Sequence, residues 1–179
     1  MAVPFKDLTT TTADNGMAAY IRCIDEEDGK GIRGCLFLIT SNGEPMDYCF
    51  SRIDVNASFL WRIGEARRSA ITSLLKVLFE GINRTPDLVI TLADEVPARV
   101  FSDDLLVEVP VCRMSKGGLD IQATSEHVEA LDNSVNLIWA SPPPEPGSLG
   151  RMLLEALQSA QILDEPFDRA MAGLDEAYK

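Results

Sequence analysis

The stretch AYIRCIDEEDGKGIRGCLFLITSNGEPMDYCFSRI, residues 19–53, decides how the chain is read. Three strand-like runs follow one another in it. Residues 18–25 alternate apolar and polar side chains, the pattern of a half-buried strand. The run IRGCLFLIT, 32–40, is almost continuously apolar and rich in β-branched and aromatic residues, as a strand covered on both faces requires. The Asn-Gly pair in SNGE marks a hairpin, because both residues tolerate positive φ. MDYCFSRIDV, 46–55, then alternates again and reads as a third, antiparallel strand. A burst of carboxylates, Asp25, Glu26, Glu27 and Asp28, closes the first strand. It is either an acidic turn or the beginning of a metal site.

Beyond residue 55 the apolar period changes. Ala66, Ala70, Ile71, Leu74, Leu75, Leu78 and Ile82 fall at the offsets of an amphipathic helix over 65–82, with Arg68, Thr72 and Lys76 opposite. Gly81, Asn83 and Pro86 stop it. DLVITLAD, 87–94, reads as a buried strand and DDLLVEVPVCRM, 103–114, as another, demoted towards an edge by Pro110. VNLIWA, 135–140, supplies a short last strand. SPPPEPGS, 141–148, forbids a helix and reads as a linker. Ser148 can cap a helix carrying Leu149, Met152, Leu153, Ala156 and Leu157, and Pro166 suits the first turn of a second with Phe167, Ala170, Met171 and Leu174. These two helices either pack on the sheet or dock onto a partner or a second copy, with Leu153, Leu157, Phe167 and Met171 as the contact residues.

The expected fold is therefore α/β: a mixed sheet opened by an antiparallel three-stranded meander, a crossover helix, further strands and a C-terminal helical hairpin. The expected organisation is a disordered tail over 1–17, a domain over 18–140, a linker over 141–148 and the hairpin over 149–179. The tail is threonine-rich and has no apolar core of a signal peptide, and no apolar run approaches 18 residues, so a cytoplasmic protein with no membrane contact is expected.

Charge narrows the function classes. With 16 basic and 28 acidic residues the net charge is −12, which opposes broad electrostatic binding to nucleic acid. Arg62, Arg67 and Arg68, with Arg52 and Lys76, form a local basic concentration beside Phe59 and Trp61. Trp61 with these arginines suits a partner or a stacked base. The alternative is a core tryptophan and arginines paired with neighbouring acids. Cys23, Cys35, Cys49 and Cys112 include no C-x-x-C pair, so they read as buried free thiols. His127 is the single histidine and lies in a polar stretch without a nucleophile motif, which makes it a surface residue.

The order strand, strand, strand, helix, strand over residues 18–114 resembles the ribonuclease H-like superfamily, and FLWRIGEARRSAITSLLKVLFEGINRTPDLVITLADE is loosely similar to the helix-to-strand region of endonuclease V within it. The resemblance implies a carboxylate trio of Asp25 in YIRCID, Glu65 in RIGEARR and Asp94 in ITLADE. Hard oxygen ligands of that kind suit Mg²⁺ or Mn²⁺ and the activation of water against a phosphodiester. DEED stands where the superfamily has Asp-Gly-Ser, and the fourth ligand is open among Asp103, Asp104, Asp120 and His127. Three functions follow as expectations. One is a small accessory or scaffold subunit, without a cofactor, in an assembly acting on nucleic acid. The second is a metal-dependent nuclease using the trio, and the third a free-standing small-ligand sensor, for which the sequence shows no pocket motif.

Overall fold

A computed structural model of the chain describes residues 16–56, 62–117, 127–132 and 134–179. Seven strands form one mixed sheet: β1 (Met17–Asp25), β2 (Gly31–Thr40), β3 (Pro45–Asp54), β4 (Leu88–Leu92), β5 (Val111–Lys116), β6 (His127–Ala130) and β7 (Val135–Trp139). Their order across the sheet is β3-β2-β1-β4-β5-β7-β6. The meander β1–β3 is antiparallel, β1, β4 and β5 run parallel, and β7 and β6 return antiparallel at the far edge.

Period two explains which side chains meet which helix. Leu36 and Leu38 of β2 join Ile21 and Cys23 of β1 on one face, where α1 (Ile63–Gly81) lays down Ile71, Leu74, Leu75 and Leu78. Cys35, Phe37 and Ile39 join Ala18 and Tyr20 on the other face, beneath α2 (Leu149–Ser159) and α3 (Glu165–Ala177). A strand covered on both sides has no solvent face, hence the unbroken apolar run. α1 can lie this close because Gly34 has no side chain: a Cβ there would stand 2.7 Å from Leu74 Cδ2 and 2.9 Å from the Arg22 carbonyl oxygen. At the β2–β3 hairpin Gly43 alone takes positive φ, 80°, while Asn42 does not.

Three expectations are corrected. β1 is not the half-buried strand expected over 18–25: it is covered on both faces, with Ala18, Ala19, Tyr20 and Ile21 all buried. The strand proposed over 103–114 begins only at Val111, and Val100–Asp104 is a π-helical turn. Pro110 therefore precedes β5, where it takes no amide from the ladder. β6 also falls in a stretch read as polar. Its four residues expose His127, Val128 and Ala130, which leaves no apolar alternation to detect.

The C-terminal helices dock on the sheet. Leu153, Leu157 and Phe167 are buried there and Met171 is partly buried, so the first three cannot be the partner contacts expected of them. Burial of about 2 kcal/mol of transfer free energy per large apolar side chain favours the intramolecular contact over an open helical hairpin. Tyr20 packs edge-on against Phe167, with centroids 4.9 Å apart, and donates its hydroxyl to the Leu163 carbonyl. Tyr48 Oη and Cys35 Sγ both donate to the Ala170 carbonyl, tying β2 and β3 to α3. Ser148 caps α2, its hydroxyl accepting the Arg151 amide. The expected tail lies outside the described residues up to position 15, and Met17 already belongs to β1. No helix among the described residues is long and apolar enough to cross a membrane.

Candidate functional site

The parallel strands bring the carboxyl ends of β1 and β4 together beside the start of α1, and this end of an open α/β sheet is where ligands usually bind. Asp25, the last residue of β1, is gripped by Arg67 of α1. Nε stands 3.0 Å from each carboxylate oxygen and Nη2 2.9 Å from Oδ2. The same Arg67 Nη2 donates to the Glu95 carbonyl at 3.1 Å, fixing the turn after β4. Helical spacing sets this up. Arg67 lies one residue beyond Ala66 and three before Ala70, both buried, so its stem leaves the core at the sheet's end.

The neighbouring carboxylate, Glu95, is buried. Arg22 Nε donates to its Oε1 at 2.8 Å, Arg22 Nη2 stands 2.6 Å from the same oxygen, and the Cys23 amide donates to Oε2 at 2.9 Å. Burial raises the Glu95 carboxyl above the ordinary range, against the opposing pull of Arg22 and the Cys23 amide. Arg22 Nη1 also reaches the Phe167 carbonyl, so this pair links β1, the β4 turn and α3. A signal existed in the sequence. Arg22 shares its face of β1 with Ala18 and Tyr20, both buried, and an inward arginine requires an acid nearby.

Glu65 and Asp94, the other two members of the expected trio, are both exposed. Glu65 occupies the first turn of α1 and lines a groove of about 680 Å³ with Arg68, Thr72, Lys76 and Asp104. Among the described residues no group of three or more His, Cys, Asp or Glu is placed to hold a metal ion. The residues therefore do not fit the Mg²⁺ or Mn²⁺ centre that the resemblance implied. Asp25 has given both oxygens to a guanidinium, and the buried acid of this region, Glu95, serves Arg22.

Each arginine of the basic concentration except Arg62 has a carboxylate of its own. Arg68 pairs with Asp104, Nε to Oδ2 at 2.9 Å, and Thr72 donates to the same oxygen at 3.1 Å. Arg52 holds Glu26 through Nε and Nη2, both at 2.7 Å, and Asp54 through Nη1 at 2.6 Å. Glu26 is drawn below the usual carboxylate range by that bond. Arg62 is exposed at the N-cap of α1. Phe59, Trp61 and Asp120 lie outside the described residues. The acidic burst is thus a turn, with Asp25 on Arg67, Glu26 on Arg52 and Asp28 accepting the Lys30 amide.

Three comparisons bear on this geometry. No family model matches the chain, and no curated protein does. Among solved structures the chain is similar to endonuclease V from Streptomyces avermitilis, with a TM-score of 0.60, 9% identity, and coverage of 92% of this chain and 84% of that one. It is similar also to endonuclease V from Bacillus subtilis, with a TM-score of 0.51, 11% identity, and coverage of 92% and 87%. At such identities the likeness is one of fold, and the fold of this chain is endonuclease V-like.

Proposed function

We propose that the chain is a ribonuclease H-like domain serving as a binding or scaffold subunit of an assembly that acts on nucleic acid, with ion pairs standing at the end of the sheet where a hydrolytic centre would lie. The observation that carries this reading is the two-point grip of Arg67 on Asp25. A guanidinium supplies the positive charge at that carboxylate, and a divalent ion would have to displace it. The arginine–carboxylate pairing of Arg52, Arg67 and Arg68 also leaves little free positive charge for phosphates, which suits contact with the protein members of an assembly. On α2 the exposed Leu149 and Met152 take the docking role in this reading.

The second reading is a metal-dependent nuclease with Asp25, Glu65 and Asp94 on Mg²⁺ or Mn²⁺. The backbone likeness, taken alone, favours it over the scaffold, because both solved neighbours bear the name of an endonuclease. The side chains at this end argue the other way. Calorimetric titration of Mn²⁺ into the protein and into Asp94→Asn, beside incubation with single- and double-stranded DNA and RNA in Mg²⁺, separates the two. The scaffold predicts no saturable heat and no cleavage. Saturable binding lost in Asp94→Asn, with cleavage by the parent protein, would establish the nuclease.

A further inference from the structure

A pocket of about 300 Å³ opens at the carboxyl end of β5, on the α2–α3 side of the sheet. It stands on its own geometry and does not depend on the reading above. Three parts of the fold line it: β5 with Met114, the β6–β7 hairpin with Leu131, Asp132 and Val135, and the end of α2 with its connection to α3, which bring Gln158, Gln161 and Leu163. Met114, Leu131, Val135 and Leu163 give it an apolar lining. The carboxamides of Gln158 and Gln161 make no hydrogen bond among the described residues, whereas the surrounding polar groups are committed. Lys116 is paired with Asp164 at the rim. Asp132 Oδ1 accepts from the Ser134 amide and hydroxyl and from the Val135 amide.

The backbone at Gln161 is the second observation. Its φ of 57° makes it the one described non-glycine residue in the left-handed region. It occupies the position after the C-cap of α2, in a turn closed by Gln161 N–H to the Gln158 carbonyl and Ile162 N–H to the Leu157 carbonyl. Glycine is the residue that fits there without strain. A glutamine in this place carries a conformational cost and puts a carboxamide at the pocket.

We infer that this pocket binds an uncharged nucleobase or nucleoside, its ring on the apolar lining and its donor–acceptor edge read by Gln158 and Gln161. A carboxamide offers a donor and an acceptor side by side, which matches the paired edge of a base. The volume is at the lower end of the range for small-ligand sites. Asp132 and Asp164 make the rim acidic, and its lysine is already paired, so a phosphate is repelled and the nucleoside is preferred to its nucleotide.

Ligand-observed NMR and calorimetry with adenosine, guanosine, cytidine and uridine, and with their 5′-monophosphates, test this on the parent protein, Gln158→Leu and Gln161→Gly. Gln161→Gly retains the turn, so a loss of binding in it is not a loss of fold. The expected result is saturable binding of at least one nucleoside, weaker by about tenfold in each variant, as for one lost hydrogen bond, and no tighter for the monophosphate. Absence of saturable binding by all four nucleosides would overturn the inference. So would affinity unchanged in both variants, or a monophosphate bound more tightly than its nucleoside, which would assign the site to an anion.

Discussion

Arg22 and Glu95 meet at 2.6 Å between β1 and the turn after β4, with side chains only 15% and 10% exposed. Both charges have little access to water, so removing one member leaves the other buried and unpaired. Arg22→Ala should lower unfolding free energy by about 3–5 kcal/mol, because it strands a buried carboxylate. The double replacement Arg22→Met with Glu95→Gln should recover most of that loss, since no charge is then buried and the new carboxamide oxygen can still accept the Cys23 amide. Urea unfolding of the two proteins measures the difference. Equal losses in both would mean that packing, not charge, sets the cost.

The contrast between this pair and the expected trio shows what the sequence could and could not reveal. The meander was legible because period two, the Asn-Gly turn and the continuous apolar run of β2 all act locally. α1 was legible from its stripe, and α2 and α3 from Ser148, Pro166 and their own stripes. The site was not. Asp25, Glu65 and Asp94 sit at the right places along the chain, but which carboxylate receives which guanidinium depends on distances across the sheet. Glu95 differs from Asp94 by one residue, and that residue turns it from solvent to the core. The strand at 103–114 was overextended for another reason. Leu105, Val107, Val109 and Val111 alternate as a strand would, yet Val100–Asp104 closes into a π-helical turn, and its Leu105 amide bonds back to the Val100 carbonyl.

The thiols should be chemically silent in the folded state. Burial pushes Cys35 up to about 11 and Cys49 up to about 12, and it raises Cys23 and Cys112 as well. The thiolate is the reactive form. An aromatic disulfide reagent at pH 8 should therefore leave the native protein unmodified over minutes and titrate all 4 cysteines in denaturant. Rapid reaction of one thiol in the native protein would point to local opening at that strand.

Asp132 gives the β6–β7 turn its pH dependence. The Ser134 amide, the Ser134 hydroxyl and the Val135 amide hold its carboxyl below the ordinary range. A depressed folded value means that the stabilisation is complete above the unfolded value, about 3.9, and is lost as pH falls through the folded one. Asp132→Asn should thus be less stable than the parent near neutral pH, with the gap narrowing as the pH drops below about 4. Thermal unfolding of both proteins between pH 3 and pH 7 reads it. A gap that stays constant across that range would remove the carboxylate charge from the account.

Gln161 offers a stability test that is separate from any ligand. Its left-handed backbone sets Cβ close to the following carbonyl, a strain that glycine lacks, while glycine gives the unfolded chain more freedom to lose. The first effect, about 1–2 kcal/mol, exceeds the second, about 0.5–1 kcal/mol. Gln161→Gly should therefore raise unfolding free energy by about 0.5–1 kcal/mol, or about 1–4 °C in Tm for a chain of this size. Gln161→Ala keeps the Cβ and should give no such gain, so the pair of variants distinguishes relief of backbone strain from loss of the side chain. A Tm that rises equally in both would mean that the carboxamide itself is destabilising. A fall in Gln161→Gly alone would mean that the side chain holds the α2–α3 turn together.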